Sequence, residues 1–128
     1  MRLLADTHTL LWAVGDPDRL SRRAREALTD PGNRLSFSTV SLWEIAIKLS
    51  LNRIELDADW RELIESGRRD LRAQWLGLEP RHCHEVVGLP WNHRDPFDRM
   101  LVAQAMCEGM TLVTRDGALS RYTSNVLW

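Results

Sequence analysis

Lysine is all but missing from this chain: of its 17 basic residues only Lys48 is one, and the rest are arginine. Arginine's planar fork suits bidentate contacts with phosphate and carboxylate, although codon bias in a GC-rich genome is the simpler cause of the skew. Cysteine is scarce too. Cys83 and Cys107 are too few for a disulfide framework. The run His82-Cys83-His84 lacks a second ligand pair at zinc-site spacing, and reads as part of a surface helix with one buried thiol. No apolar run approaches the ~18 residues a membrane span requires. The N-terminus lacks the apolar core and small-residue cleavage site of a signal peptide. A cytoplasmic protein with no membrane contact is expected. The net charge of −1 gives no global attraction to nucleic acid. Local arginines would have to supply it: Arg94, Arg99 and Arg115 beside acids, Arg19, Arg22, Arg23 and Arg25 in one short segment, and Arg68, Arg69 and Arg72 in another.

What remains is ordinary globular material. A length of 128 residues with 44% hydrophobic content suits one domain, 1–128, around a single core. Strand-like and helix-like segments alternate along it. Residues 2–5 read as a buried strand, and 7–14 as a helix broken by Gly15-Asp16-Pro17. A helix over 21–29 takes Ser21 as its cap and stops at Pro31-Gly32. A strand over 35–38 leads into an amphipathic helix over 40–50, with Leu42, Ile45, Ala46 and Leu49 at helical spacing. The pattern predicts a helix over 59–66 closed by Gly67, a strand over 75–78, and a short helix from Pro80 to Gly88-Leu89-Pro90. The strongest helix covers 96–108, with Phe97, Met100, Leu101, Ala103, Ala105 and Met106 as its apolar stripe and Gly109 as its stop. A strand over 111–114, a helical turn over 116–119 and a strand over 125–128 complete the chain. Such alternation predicts a three-layer α/β/α fold with a central, mostly parallel sheet.

Four acids stand at the junctions of this pattern. Asp6 ends the run Leu3-Leu4-Ala5, Asp116 follows Thr111-Leu112-Val113-Thr114, and Glu44 and Asp98 lie in the first turns of helices. Each has a plain alternative. Asp6 and Asp116 suit helix caps. Ser41-Leu42-Trp43-Glu44 fits a capping box. In Asp95-Pro96-Phe97-Asp98, Asp95 suits the cap, and Asp98 complements the helix dipole. Taken together the acids say more. Helix starts that follow parallel strands emerge at one sheet edge, where ligands of open α/β sheets bind. Four carboxylates gathered there repel one another unless a cation neutralises them. With no Cys or His ligand set among them, they suit a hard, oxygen-loving divalent ion. The reading is a metal-dependent hydrolase of nuclease type.

The same segments resemble the motifs of the PIN domain, in order and over almost the whole chain. Leu3-Leu4-Ala5-Asp6-Thr7-His8 is similar to its opening strand, and the segment from Ser38 to Lys48 to its second motif, with Glu44 as the acid. The segment from His93 to Ala105 resembles the third, with Asp98 in the acid position, and Leu112-Val113-Thr114-Arg115-Asp116 the fourth. The branch it resembles is the VapC-type toxin ribonucleases of bacterial toxin–antitoxin pairs. That resemblance implies a PIN-like fold and endoribonuclease activity on RNA phosphodiesters. It also implies catalytic and metal-holding roles for Asp6, Glu44, Asp98 and Asp116. Mg²⁺ or Mn²⁺ would be held directly by Asp6 and Asp98, and through water or as a second ion by Glu44 and Asp116. Thr7, Arg99 and Arg115 are the candidate substrate-binding residues. Implied partners are RNA, a cognate antitoxin protein and a second copy in a homodimer. Residues 51–90 carry no motif.

Two rivals differ in class. A haloacid-dehalogenase-like phosphatase also starts from a strand-end Asp, but wants an acid where His8 stands and a downstream lysine, and Lys48 lies within a helix. A non-catalytic PIN-like module would bind RNA or protein without needing four intact acids. Six tryptophans exceed what one small core readily buries. Together with Leu10, Leu11, Leu42 and the ring of Trp43, the Trp12 ring is expected to offer apolar surface to a partner.

Overall fold

The computed structural model describes residues 1–57, 59–123 and 125–128. Its centre is β1 (Arg2–Ala5), a strand whose pleat sends alternate side chains to opposite faces. Leu3 and Ala5 enter one apolar cluster and Leu4 the other, and all three are fully buried. β1 pairs in parallel with β2 (Arg34–Ser38) on one side and with β4 (Thr111–Val113) on the other. Outside these lie β3 (Gln74–Leu76) and β5 (Val126–Leu127), giving the order β3-β2-β1-β4-β5 with every pairing parallel. The strand order reverses between β1 and β4, so the crevice that such sheets offer to ligands falls at their carboxyl ends.

Among the described residues, six α-helices cover both faces. Against one cluster lie α1 (Thr7–Gly15), α2 (Arg22–Thr29) and α4 (Trp60–Asp70), through Leu10, Ala24, Leu28 and Ile64. Against the other lies α6 (Pro96–Glu108), backed by α5 (Pro80–Val87). α3 (Thr39–Ser50) sits where the two clusters meet, giving Ile45 to the first and Val40 to the second. The 3₁₀ turns Pro17–Arg19 and Gly117–Arg121 complete the elements of the described residues. Among the described residues, no helix is long and apolar enough to cross a membrane.

The predicted three-layer parallel architecture is the one observed, with local differences that have physical causes. α6 buries Arg99, Val102 and Gln104, which the apolar stripe omitted, while Met106 is exposed. The buried amide of Gln104 is satisfied where its Oε1 accepts from the Ser38 hydroxyl at 2.6 Å. In α5 the inward residue is His82 and not a thiol: Cys83 is exposed and Cys107 partly so. The buried imidazole accepts from the Glu79 backbone N–H through Nδ1 at 3.0 Å, which fixes Nε2 as the donor to Glu108 at 3.0 Å. Gly67 does not close α4. The helix runs past it to Asp70, because glycine is there for packing: a Cβ at this position would stand 2.4 Å from Val14 Cγ1 and 2.6 Å from Val14 Cβ on α1. Gly109 does act as a stop, at a left-handed φ of 63°.

The α1–α4 contact gives a test. Gly67→Ala gains helix propensity but forces Val14 to move, so a net loss of about 1–2 kcal/mol is expected. Adding Val14→Ala should recover part of it. Urea denaturation of the two variants measures both effects, and an unchanged midpoint for Gly67→Ala alone would contradict the packing role.

Candidate active site

Parallel pairing of β1 with β4 places the residues after each strand side by side. The Asp6 backbone N–H donates to Val113 O at 3.0 Å, and the Thr9 hydroxyl donates to the same carbonyl at 3.0 Å. Asp6 itself is buried. Its Oδ1 caps α1 by accepting from the Thr9 N–H at 2.8 Å, and its Oδ2 accepts from the Thr114 hydroxyl at 2.5 Å. The Thr114 oxygen in turn accepts from the Asp116 N–H at 3.0 Å. Asp116 caps the 3₁₀ turn with Oδ1, accepting from Ala118 N–H at 2.9 Å. Its Oδ2 is turned toward His93 Nε2, 3.9 Å away. Thus Asp6 and Asp116 are caps, and both also line the crevice.

Asp98 arrives from the start of α6. Asp95 takes the capping role there, accepting from the N–H groups of Phe97 at 2.8 Å and Asp98 at 3.1 Å. The Asp98 carboxylate is thereby left free to meet His93 Nε2 at 2.9 Å. Burial pushes the Asp98 carboxyl up to about 6, against the contact with His93, which lowers it; Asp95, Glu44 and Asp6 push it further up by repulsion. Asp6, Asp98 and Asp116 line one crevice together with His8, Trp12 and Arg115.

Glu44 is placed differently. The helix it belongs to is capped by Ser38, whose hydroxyl accepts from Val40 N–H at 3.0 Å, so Ser41 and Glu44 form no capping box. Glu44 is buried behind the crevice. Its Oε1 accepts from the Thr7 hydroxyl at 2.6 Å, and its Oε2 pairs with Lys48 Nζ at 2.5 Å. The Ser41 hydroxyl lies 3.0 Å from that of Thr7. Thr7 is accordingly buried, with its hydroxyl on Glu44 and not in the crevice.

Of the candidate arginines, Arg115 lines the crevice and Arg99 does not. The Arg99 guanidinium donates to Pro90 O at 2.7 Å, Leu89 O at 3.2 Å, Val86 O at 3.3 Å and the Tyr122 hydroxyl at 3.2 Å. It holds the loop before α6 and is buried, so a phosphate clamp is not the work its donors do. Elsewhere, Arg68 donates to Ala73 O, and Arg72 lies with Asp30 and Asn33 at the amino ends of the strands. That group faces away from the acids. Arg22 pairs with Glu26 and Arg25 with Asp18, while Arg19 lies 4.9 Å from the centre of the Trp12 ring at the crevice wall.

Sequence reasoning passed over His93, Thr114 and Lys48 as site residues. His93 sits five residues before Asp98 in a loop, a spacing that no helix or strand periodicity flags. Lys48 at i+4 from Glu44 was the legible signal, since that spacing places the two on one helix face.

The donor set fits a divalent cation. One ligand atom from each of His93, Asp98 and Asp116 lies within 4.8 Å of the others, and Asp6 opens on the same crevice. These are mainly hard carboxylate oxygens, as Mg²⁺ and Mn²⁺ prefer. A carboxyl held near 6 by burial and by like charges also signals a place where positive charge is wanted.

Asp98 yields a pH-dependent expectation. Its folded value, about 6, lies above the ordinary 3.8. Between those values the folded protein binds more protons than the unfolded chain, so stability falls as pH rises through that window. Asp98→Asn removes this penalty. The metal-free variant should match the wild type near pH 4 and exceed it at pH 7.5 by about 1–2 kcal/mol, allowing for partial exposure. Denaturation at the two pH values checks it, and an equal difference at both would contradict it.

Comparisons with known proteins follow the same lines. The family described as "PIN domain" matches residues 3–125. Ribonuclease VapC22 of Mycobacterium tuberculosis is 30% identical over 118 residues, covering 91% of this chain and 88% of the relative. Two solved structures share the fold. VapBC2 from Rickettsia felis, bound to a DNA fragment from its promoter, has a TM-score of 0.71 at 16% identity, covering 100% of this chain and 98% of that one. A toxin–antitoxin complex from Klebsiella pneumoniae has a TM-score of 0.64 at 17% identity, covering 98% and 96%. With the motif acids in order, the strand order of the sheet and a family match over nearly its full length, the chain belongs to the PIN-domain family.

Proposed function

We propose that this protein is a metal-dependent endoribonuclease and the toxin of a toxin–antitoxin pair, acting in the cytoplasm. The observation that carries the reading is the convergence of Asp6, Asp98 and Asp116 on one crevice at the carboxyl edge of the sheet. The kinship to a protein named as a ribonuclease supports RNA as the substrate, and the fold shared with toxin–antitoxin complexes supports an antitoxin partner. Lys48, paired with Glu44, is not free for the role a dehalogenase-type phosphatase would give it.

Asp6 and Asp98 would hold Mg²⁺ or Mn²⁺ directly, and Asp116 and Glu44 would complete the acid set through water or around a second ion. When bound, such an ion acidifies a coordinated water and offsets charge developing on phosphate. The chain's own residues prepare the place. Thr114 and the α1 N-terminus fix both oxygens of Asp6, and Asp95 frees Asp98 from capping. Lys48 and Thr7 neutralise and orient Glu44. Arg115 at the crevice wall is the group to hold a phosphate of the substrate, with Arg19 beyond Trp12 as a second cation. A homodimer would bring two such walls together and lengthen the basic track, since isologous two-fold pairing is the commonest assembly.

Purified wild type with Mg²⁺ or Mn²⁺ should cut single-stranded RNA, and chelation should stop it. Asp6→Asn or Asp98→Asn should lower the rate at least about a hundredfold, since each removes part of several kcal/mol of charge stabilisation. Growth arrest on expression should be relieved by Asp6→Asn. Wild-type cutting by either variant would sink the assignment.

Arg115→Ala should weaken RNA binding across sequences and reduce the slope of log affinity against log salt by about one. Fluorescence anisotropy over a salt series reads this, and an unchanged slope would remove Arg115 from the phosphate track.

A further inference from the structure

Trp91 is 76% exposed, yet its ring is not loose. The Arg99 guanidinium lies 3.8 Å from the ring centre, covering one face of the indole. That guanidinium is itself fixed by the carbonyls of Pro90, Leu89 and Val86 and by the Tyr122 hydroxyl. An indole backed by an immobilised cation is a rigid plate, with its other face open to solvent. Around it lies a recess lined by Val86, Val87, Pro96 and Met100, with Arg94 and Arg99 and no carboxylate among the described residues. Such a surface, flat, aromatic, apolar at its floor and positive at its rim, matches a nucleobase attached to a phosphate chain. Carboxylates of a protein segment would meet the two arginines as well, so the feature that favours a base is the flat, open face of the indole.

The plate is also tied to the acid crevice through the loop before α6. Trp91 stands two positions before His93, a span of at most about 7 Å along the chain, and His93 Nε2 touches Asp98 at 2.9 Å. The Tyr122 hydroxyl that accepts from Arg99 also accepts from the His93 N–H at 2.7 Å, so one clasp sets both residues. We propose that Trp91 is a stacking platform for an unpaired base of the RNA, on a nucleotide flanking the phosphate held at the acids, with Arg94 on the adjoining backbone. The proposal rests on the ribonuclease reading and adds a requirement to it: the strand must be single at that nucleotide, because a paired and stacked base has no free face.

The test uses full-length protein carrying Asp98→Asn, so that RNA is bound and not cut, with short single-stranded RNA and the same sequence in a duplex as probes. Trp91→Ala and Trp91→Leu should weaken single-strand binding between about fivefold and a hundredfold, as expected for one lost base stack, and Trp91→Phe should bind nearly as well as the unsubstituted platform. Duplex affinity should not change. An oligonucleotide with one abasic position should abolish the difference that Trp91→Ala makes, at a single register. In the cutting enzyme, Trp91→Leu should raise KM and leave kcat near wild type. Because Leu fills the recess without offering a π face, equal single-strand affinity of Trp91→Leu and wild type would overturn the platform. A change in sedimenting mass or antitoxin affinity with RNA binding intact would overturn it too, assigning the face to a protein partner. If the wild-type protein neither binds nor cuts single-stranded RNA, the ribonuclease reading itself falls and the platform with it; normal cutting with indifferent Trp91 variants removes the platform alone.

Discussion

β1 and β4 lie side by side at the centre of the sheet, and this one pairing determines where the acids end up. Their carboxyl ends deliver Asp6 and Thr114 to within hydrogen-bonding distance, 2.5 Å, across a separation of 108 residues. Everything else in the crevice is referred to that bond. Asp116 hangs from the Thr114 oxygen, and α1 starts where Asp6 caps it. α6 is pressed against the same sheet by Leu101 and Val102, which sets the distance at which Asp98 meets them. Parallel strands cannot be joined by tight turns. The length of chain between the acids is therefore a requirement of the geometry.

Carboxylates so close together would destabilise the fold if nothing opposed them. The molecule handles this unevenly. Glu44 is paired with Lys48. Asp6 is tied at both oxygens by neutral donors. Asp116 is left half in solvent, its side chain 41% exposed. Asp98 is partly buried next to other acids, with only His93 against it, and its carboxyl is pushed upward as a result. The unrelieved charge is concentrated at the position where α6 begins, which is where an arriving cation would have most effect.

Much of this was legible in the sequence because it is local. The runs that form strands and helices are short and cleanly punctuated, and the acids stand at their junctions, so both the layering and the identity of the acids followed. What was not legible is long-range packing. Gly67 looks like a stop until Val14 is seen against it. Glu44 fits a cap motif until Ser38, one turn earlier, is found doing the capping. Arg99 follows an acid in sequence, yet a helix turns each successive residue by about 100°, and that rotation carries it away from the crevice to the loop carbonyls. The tryptophans divide in the same way. None is fully buried; Trp43 and Trp91 are exposed, and the others are half-buried at the core's margin, while Leu10, expected outside, is fully buried.

The lone lysine has a chemical consequence of its own. Lys48 is the chain's only side-chain primary amine, and it is held against Glu44 at 2.5 Å. Acylating reagents and lysine-modifying enzymes therefore find a single side-chain amine here, and it is already engaged. Where they do succeed at Lys48, they cancel the charge paired with a buried carboxylate, so one small covalent mark would leave Glu44 buried without its counter-charge.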